Sequence, residues 1–192
     1  MLADFKIHTP ATVAGQSSVI LESVEANVGF LPNVFASIAE SPSALAGIVG
    51  LGESFASSSF TSEEQQVIQL AVSTENECGY CVSGHTAFSQ SLNLSDAVVS
   101  SLRAKEPVPD VRLEALSTIA RSLVKKRGRV DRSEIDAFIA AGFTKAQFLE
   151  VILGVTVKTF SNYASIAINI PLDTEFEKYA WQPSGEFKDV AA

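Results

Sequence analysis

Helix-capping patterns recur along this sequence, and they constrain its fold more than any other feature. Three segments place a capping residue three positions before a Glu or Gln, which is the spacing of a capping box. They are residues 61–64 (Thr-Ser-Glu-Glu), 131–134 (Asp-Arg-Ser-Glu) and 144–147 (Thr-Lys-Ala-Gln). Ser41 followed by Pro42 is a fourth start signal, because proline is favoured at the first position of a helix. The sequence therefore predicts a chain built from many short, well-delimited helices.

Apolar residues between these signals repeat with the period of an α-helix. One such stripe consists of Leu113, Leu116, Ile119, Ala120 and Leu123. Alternation typical of strands is scarce, so we expect an all-α fold. The predicted helices cover residues 16–28, 33–40, 42–57, 62–75, 79–91, 96–105, 110–127, 132–141, 145–169 and 173–180.

The domain organisation is expected to be simple. Residues 105–109 (Lys-Glu-Pro-Val-Pro) separate two halves, each with a strongly capped apolar helix. The halves show no clean internal repeat, so we expect a single domain over residues 1–192. Its core would lie at about 28–173, between N- and C-terminal extensions.

Composition excludes several classes of function. Hydrophobic residues make up 46% and charged residues 19%, which is typical of a globular protein. The net charge of -8 argues against nucleic acid or an anionic membrane as a partner, since both attract clustered Lys and Arg. No apolar run approaches the ~18 residues of a membrane span. Residues 1–6 include an acid and precede no apolar run, so we expect no secretory signal and a cytoplasmic location.

The chemistry of the chain is concentrated in residues 78–85 (Cys-Gly-Tyr-Cys-Val-Ser-Gly-His). If the segment is helical from about Cys78, then Cys78, Cys81 and His85 share one face, because they are spaced by three and four residues. A helix start and a nearby imidazole both favour a thiolate. Two thiols at this spacing can also close a disulfide. A thiolate, a resolving thiol and a proton donor are what peroxide chemistry requires.

Other interpretations of the two cysteines stay open on the residues alone. They could be buried and inert, since free cysteine packs well. A zinc site is disfavoured because it needs about four ligands, and His8 is the only other histidine in the chain. A thioredoxin-like site would need a strand before the helix. We expect no metal and no organic cofactor.

The segment 61–85 resembles the carboxymuconolactone decarboxylase / alkylhydroperoxidase D-like family, and most of all its peroxidase-related branch. The likeness extends to residues 29–33 (Gly-Phe-Leu-Pro-Asn), 41–42 (Ser-Pro), 141–144 (Ala-Gly-Phe-Thr), Asn162 and 171–173 (Pro-Leu-Asp). It thus covers most of residues 28–173. The resemblance implies the alkylhydroperoxidase D-like helical fold.

The resemblance also implies roles for the site residues. Cys81 would be the peroxidatic cysteine, Cys78 its resolving partner and proton donor, and His85 part of a proton relay. A helix-dipole argument alone would instead favour Cys78 as the thiolate. The relay position that relatives fill with Glu is Gln66, which cannot take up a proton. Tyr80 stands where some relatives carry a second His, so Gln66 and Tyr80 are candidate relay residues and turnover is expected to be slow.

The sequence therefore predicts a thiol-dependent, peroxidase-like oxidoreductase that reduces hydroperoxides or a partner disulfide. Its partners would be a hydroperoxide substrate and a thiol electron donor, either a protein or a small thiol, and the resemblance implies homo-oligomers. Any phenylalanine lining the thiol pocket would suit an apolar organic hydroperoxide. Two alternatives remain. One is a redox-sensing or assembly protein without turnover, and the other is a lactone decarboxylase, whose chemistry uses no cysteine pair.

Overall fold

A computed structural model describes residues 5–183, and within this range the chain forms nine α-helices, two 3₁₀ helices and no strand. The α-helices are α1 (Gln16–Val28), α2 (Asn33–Ile38), α3 (Pro42–Ala56), α4 (Ser62–Glu75), α5 (Gly79–Ser91), α6 (Asp96–Ala104), α7 (Val111–Lys125), α8 (Arg132–Ala140) and α9 (Lys145–Ala167). The prediction of an all-α fold is confirmed. Residues 1–4 and 184–192, which belong to the expected extensions, lie outside the described residues. The expectation of no secretory signal was based on residues 1–6, and residues 1–4 of this segment are among those outside the described range.

The capping signals form the contacts that their spacing predicts. At the start of α4, Thr61 Oγ1 accepts a hydrogen bond from the Glu64 amide at 3.2 Å. Glu64 in turn accepts one from the Thr61 amide at 3.0 Å. Thr144 and Gln147 form the same reciprocal pair at the start of α9. These bonds satisfy backbone amides that have no partner within the helix, and so they fix where α4 and α9 begin.

Two short segments differ from the prediction. Residues Thr174–Tyr179, expected as part of an α-helix, form a 3₁₀ helix, and Pro10–Thr12 form another that was not predicted. A segment of six residues with a single buried side chain, Phe176, gains too little from packing to offset the cost of nucleating an α-helix.

The core is organised around α4. This helix packs against α5, α6, α7 and α9, and eight of its residues are buried. Helix α9 also packs against α3 and α5, while the C-terminal 3₁₀ helix packs against α5. Helices from both sides of residues 105–109 therefore build the same core. This arrangement brings the inner faces of α4, α5 and α9 together beside the cysteine pair.

Within the described range, no helix alone has the length and apolar character needed to cross a membrane. Only α8 and α9 taken together meet those criteria, and they are bent by 112° at the break between them.

Candidate active site

The two cysteines lie at the start of α5, and both are buried. Cys78 is the N-cap residue, with extended backbone angles, and its Sγ accepts a hydrogen bond from the Cys81 amide at 3.3 Å. Cys81 lies in the first turn, and both thiols are free. The helix thus begins at Gly79, one residue later than the spacing argument assumed. The turn before it is made possible by Glu77, which has a positive φ of 59°.

His85 follows Cys81 by one helical turn and bridges α4 and α9. Its Nδ1 lies 2.9 Å from Gln66 Oε1, and its Nε2 lies 2.5 Å from Lys158 Nζ. Since an amide oxygen only accepts, the proton is assigned to Nδ1, which leaves the Nε2 lone pair facing Lys158. Burial, and then the charge of Lys158, lower the pKa of His85 well below its ordinary value. The imidazole is therefore neutral and able to accept a proton at Nε2.

Lys158 is a site residue that the sequence analysis missed. It lies on α9, is 7% exposed, and forms no ion pair with a carboxylate among residues 5–183. Burial lowers the pKa of its ammonium group, and the negative charge of the cysteines opposes that effect. A signal was present in the sequence, because Lys158 is the one charged residue between Val151 and Leu172. A lone lysine in an otherwise apolar helix marks a buried charge that needs a partner.

The surroundings of the two sulfurs make Cys81 the thiolate. Burial alone raises the pKa of Cys81, but a hydrogen bond with Cys78 and the charge of Lys158 outweigh burial and lower it to about 6. Ser165 Oγ lies 3.7 Å from Cys81 Sγ and adds a weaker contribution in the same direction. The pKa of Cys78 is raised, first by its hydrogen bond with Cys81 and then by burial. The hydrogen bond with Cys78, together with the charge of Lys158, therefore makes Cys81 the thiolate, against the helix-dipole argument for Cys78.

Asn162 supports this arrangement from α9. Its side-chain oxygen accepts a hydrogen bond from Asn76 Nδ2 at 2.9 Å, and its Nδ2 donates to Ser73 Oγ at 3.3 Å. Its side chain also helps lower the pKa of Cys81. These bonds tie the end of α4 to α9, which holds the cysteine turn against Lys158.

Tyr80 does not take part in the contacts around His85. Its hydroxyl donates to Asp173 Oδ2 at 2.5 Å and accepts a hydrogen bond from the Val34 amide at 3.1 Å. Asp173 also accepts one from the Asn33 amide at 3.0 Å. Burial, and then the hydrogen bond to Asp173, raise the pKa of Tyr80. The hydroxyl therefore joins three parts of the chain and keeps its proton, which makes Tyr80 a structural residue in this geometry.

A cavity of about 630 Å³ opens onto this group. Buried Cys81 and Lys158 and half-buried His85 form part of its wall, while exposed Asn27 and Glu53 lie at its rim. Most of the remaining lining is apolar and includes Ile20, Val24, Phe35, Ile48, Phe88 and Phe176. Such a lining favours an apolar organic ligand over a small polar one.

The C-terminal 3₁₀ helix closes one side of the cavity. The Phe176 ring meets the rings of Tyr80 and Phe88 edge to face at 5.9 and 5.7 Å. A Cβ at position 84 would lie 3.0 Å from the Phe176 ring, so Gly84 allows this close approach. A second cavity, of about 620 Å³, is lined by residues such as Glu64 and Arg112 and by neither cysteine nor histidine.

No protein-family model and no curated protein matches this sequence. Solved structures do match it. A peroxidase-related protein from Ralstonia eutropha, described as an alkylhydroperoxidase AhpD core, gives a TM-score of 0.80 at 22% identity, covering 92% of this chain and 95% of its own. A peroxidase-related protein from Silicibacter sp. gives 0.78 at 17% identity, covering 91% and 93%.

A third solved structure is a variant of the debrominase Bmp8 in complex with 2,3,4-tribromopyrrole. It gives a TM-score of 0.73 at 16% identity and covers 86% of this chain and 90% of its own. At these identities the likeness concerns the fold, and it extends over nearly the whole of each chain. The protein therefore has the all-α alkylhydroperoxidase D-like fold.

Proposed function

We propose that this protein is a thiol-dependent, peroxidase-like oxidoreductase that acts on apolar organic hydroperoxides. One observation carries the proposal: Cys81, with a pKa lowered to about 6, lies beside Cys78 and Lys158 in the wall of an apolar cavity. A thiolate is the nucleophile that attacks peroxides, and a second thiol is needed to resolve the product.

In the first step, the Cys81 thiolate attacks the terminal oxygen of a hydroperoxide. A sulfur–oxygen bond forms, the oxygen–oxygen bond breaks, and Cys81 becomes a sulfenic acid. The alkoxide that leaves needs a proton, which neutral His85 and Gln66 are poorly suited to supply. The Lys158 ammonium group supplies it, and Lys158 becomes a neutral amine. Lys158 thus does the work that the resemblance assigns to a glutamate at position 66.

In the second step, Cys78 attacks the sulfur of the Cys81 sulfenic acid. A disulfide forms, the sulfur–oxygen bond breaks, and the hydroxyl leaves as water with the Cys78 proton. The raised pKa of Cys78 suits this role, because the thiol keeps its proton until that moment. The buried site carries no net charge at either stage. It holds a thiolate and an ammonium group before the peroxide reacts, and a disulfide and a neutral amine once the disulfide has formed.

An external thiol closes the cycle by reducing the disulfide with two electrons, and Lys158 regains its proton. In the reverse exchange, the reduced Cys78 and Cys81 pair would reduce the disulfide of an oxidised partner. The cytoplasm keeps such thiol donors reduced, so the proposal retains a cytoplasmic location.

Peroxide consumption by the reduced protein tests the proposal. Cumene hydroperoxide should be consumed in the presence of a dithiol reductant, with hydrogen peroxide as the small polar comparison. Mass spectrometry should show the loss of two hydrogens within the peptide that contains both cysteines. In Cys78→Ser, dimedone should trap a sulfenic acid at Cys81, and in Cys81→Ser it should label Cys78 much less. A disulfide that forms once without turnover would instead support the redox-sensing alternative.

Reductive dehalogenation is a second candidate, favoured by the apolar cavity beside the thiolate and by the fold shared with a debrominase. Two thiols and a bromoarene would give a disulfide, the arene and hydrogen bromide, which balances atoms and electrons. Bromide release from 2,3,4-tribromopyrrole, measured beside peroxide consumption, separates the two reactions. Neither reaction is lactone decarboxylation, for which the cysteine pair would be dispensable.

We also propose that the chain forms homo-oligomers. Exposed apolar side chains recur on α9 at helical spacing, namely Leu149, Ile152, Tyr163 and Ile166. Burying such a stripe against a second copy would remove apolar area from water. Sedimentation that finds a monomer at micromolar concentration would contradict this part.

A further inference from the structure

Lys158 is unusual because it is a buried amine in a cavity wall that has no carboxylate partner within residues 5–183. Its nearest polar neighbour is the Nε2 atom of neutral His85, at 2.5 Å. The negative charge that can balance an ammonium group here is the thiolate of Cys81. The protonation of Lys158 is therefore tied to the redox state of the cysteine pair.

Loss of the thiolate changes what Lys158 can do. When Cys81 enters a disulfide, no negative charge remains beside Nζ, while burial still disfavours the ammonium form. A desolvated lysine that has lost its proton is the nucleophile that attacks carbonyl groups in Schiff-base chemistry.

We propose that whenever Cys81 carries no negative charge, Lys158 captures apolar aldehydes from the cavity as Schiff bases. This is a separate activity of the same cavity. It depends on the proposed function only in that disulfide formation is the natural way to remove the charge.

The chemistry balances without any co-reactant. The Lys158 amine adds to the aldehyde carbon, a carbon–nitrogen bond forms, and His85 Nε2 takes up the proton that the nitrogen loses. The same proton then returns to the hydroxyl of the carbinolamine, which leaves as water. The product is an imine, and nothing is oxidised or reduced. His85 suits this role because its free Nε2 lone pair already faces Nζ.

The cavity selects the class of aldehyde. Its apolar lining and volume of about 630 Å³ fit a medium-chain aliphatic or a small aromatic aldehyde. Glu53, exposed at the rim, adds a negative charge that disfavours anionic aldehydes such as glyoxylate.

Reductive trapping tests the proposal. The protein, either oxidised to the disulfide or kept reduced with a phosphine, is incubated with hexanal and cyanoborohydride and then mapped by peptide mass spectrometry. We expect a hexyl group on Lys158 in the oxidised protein, forming at least about tenfold faster than in the reduced protein, since each unit of pKa changes the amine fraction tenfold. Exposed Lys125 serves as the internal control and should be labelled equally in both states.

Variants separate this proposal from the peroxidase proposal. Cys81→Ser removes the charge without oxidation, so its Lys158 should be labelled under reducing conditions, whereas Lys158→Arg should give no adduct at this position. Glyoxylate should label Lys125 but not Lys158. If the native disulfide is verified and Lys158 is still labelled no faster than in the reduced protein, the proposal is wrong. If peroxide forms no disulfide while Lys158 of Cys81→Ser is labelled, the peroxidase proposal fails and this one stands.

Discussion

Replacing Lys158 with Gln tests the central electrostatic feature of the site. The change removes the buried positive charge beside Cys81 and keeps a polar side chain of similar length. Burial, which raises the pKa of Cys81, would then be opposed mainly by the hydrogen bond with Cys78. We therefore expect the pKa of Cys81 to rise.

The size of the effect follows from the fraction of thiolate. A pKa of about 6 leaves Cys81 ionised in about nine-tenths of the molecules at pH 7. A return to the ordinary value of 9.0 would leave about one-hundredth ionised, a loss of about 90-fold. Because the hydrogen bond with Cys78 survives, we expect a loss of between about tenfold and 90-fold in the rate at which Cys81 is alkylated at pH 7.

The assay is the pH dependence of iodoacetamide alkylation, with the adduct assigned to Cys81 by tandem mass spectrometry. In Lys158→Gln the midpoint should move from near pH 6 to a higher pH, and the rates should converge with those of the native protein in alkaline solution. Lys158→Arg keeps the charge and should keep the midpoint low, while Lys125→Gln is the surface control. An unchanged midpoint, or a rate lowered equally at every pH, would refute the charge argument.

The remaining predictions concern stability and the two candidate relay residues. Between about pH 6 and 9 the folded reduced protein holds a Cys81 thiolate while the unfolded chain holds a thiol. The free energy of unfolding should thus rise with pH by at most about 4 kcal/mol, and chemical denaturation should find a smaller rise in Lys158→Gln, in which the pKa of Cys81 returns toward 9.0. Gln66→Glu places a carboxylate against the Nδ1–H of His85 and should raise the pKa of the imidazole. If an NMR titration finds the same pKa for His85 in the variant and in the native protein, the contact between these residues is contradicted. Tyr80→Phe removes the hydrogen bond to Oδ2 of buried Asp173 and the acceptor of the Val34 amide, and it should cost about 1–3 kcal/mol of stability. A changed alkylation midpoint of Cys81 in this variant would instead give Tyr80 a place in the relay.

Features that depend on residues close together in the sequence could be predicted. The bounds of α1, α4 and α5 agree with the prediction, because capping boxes and apolar stripes act within one or two helical turns. The approach of Cys78, Cys81 and His85 follows from their spacing for the same reason. Gln66 was placed near His85 through the family resemblance, and the 2.9 Å contact agrees with that placement.

Features that join distant parts of the chain were decided by the tertiary structure. Lys158 lies 73 residues from His85, and Asp173 lies 93 residues from Tyr80. The sequence determines which faces of α4, α5 and α9 are apolar, but many rotations of packed helices would bury those faces equally well. Only the packing that is formed brings a lone lysine against the cysteine pair. The sequence by itself thus determined the helices and the local thiol motif, and the tertiary structure decided the buried charge that, with the hydrogen bond from Cys78, makes Cys81 a thiolate.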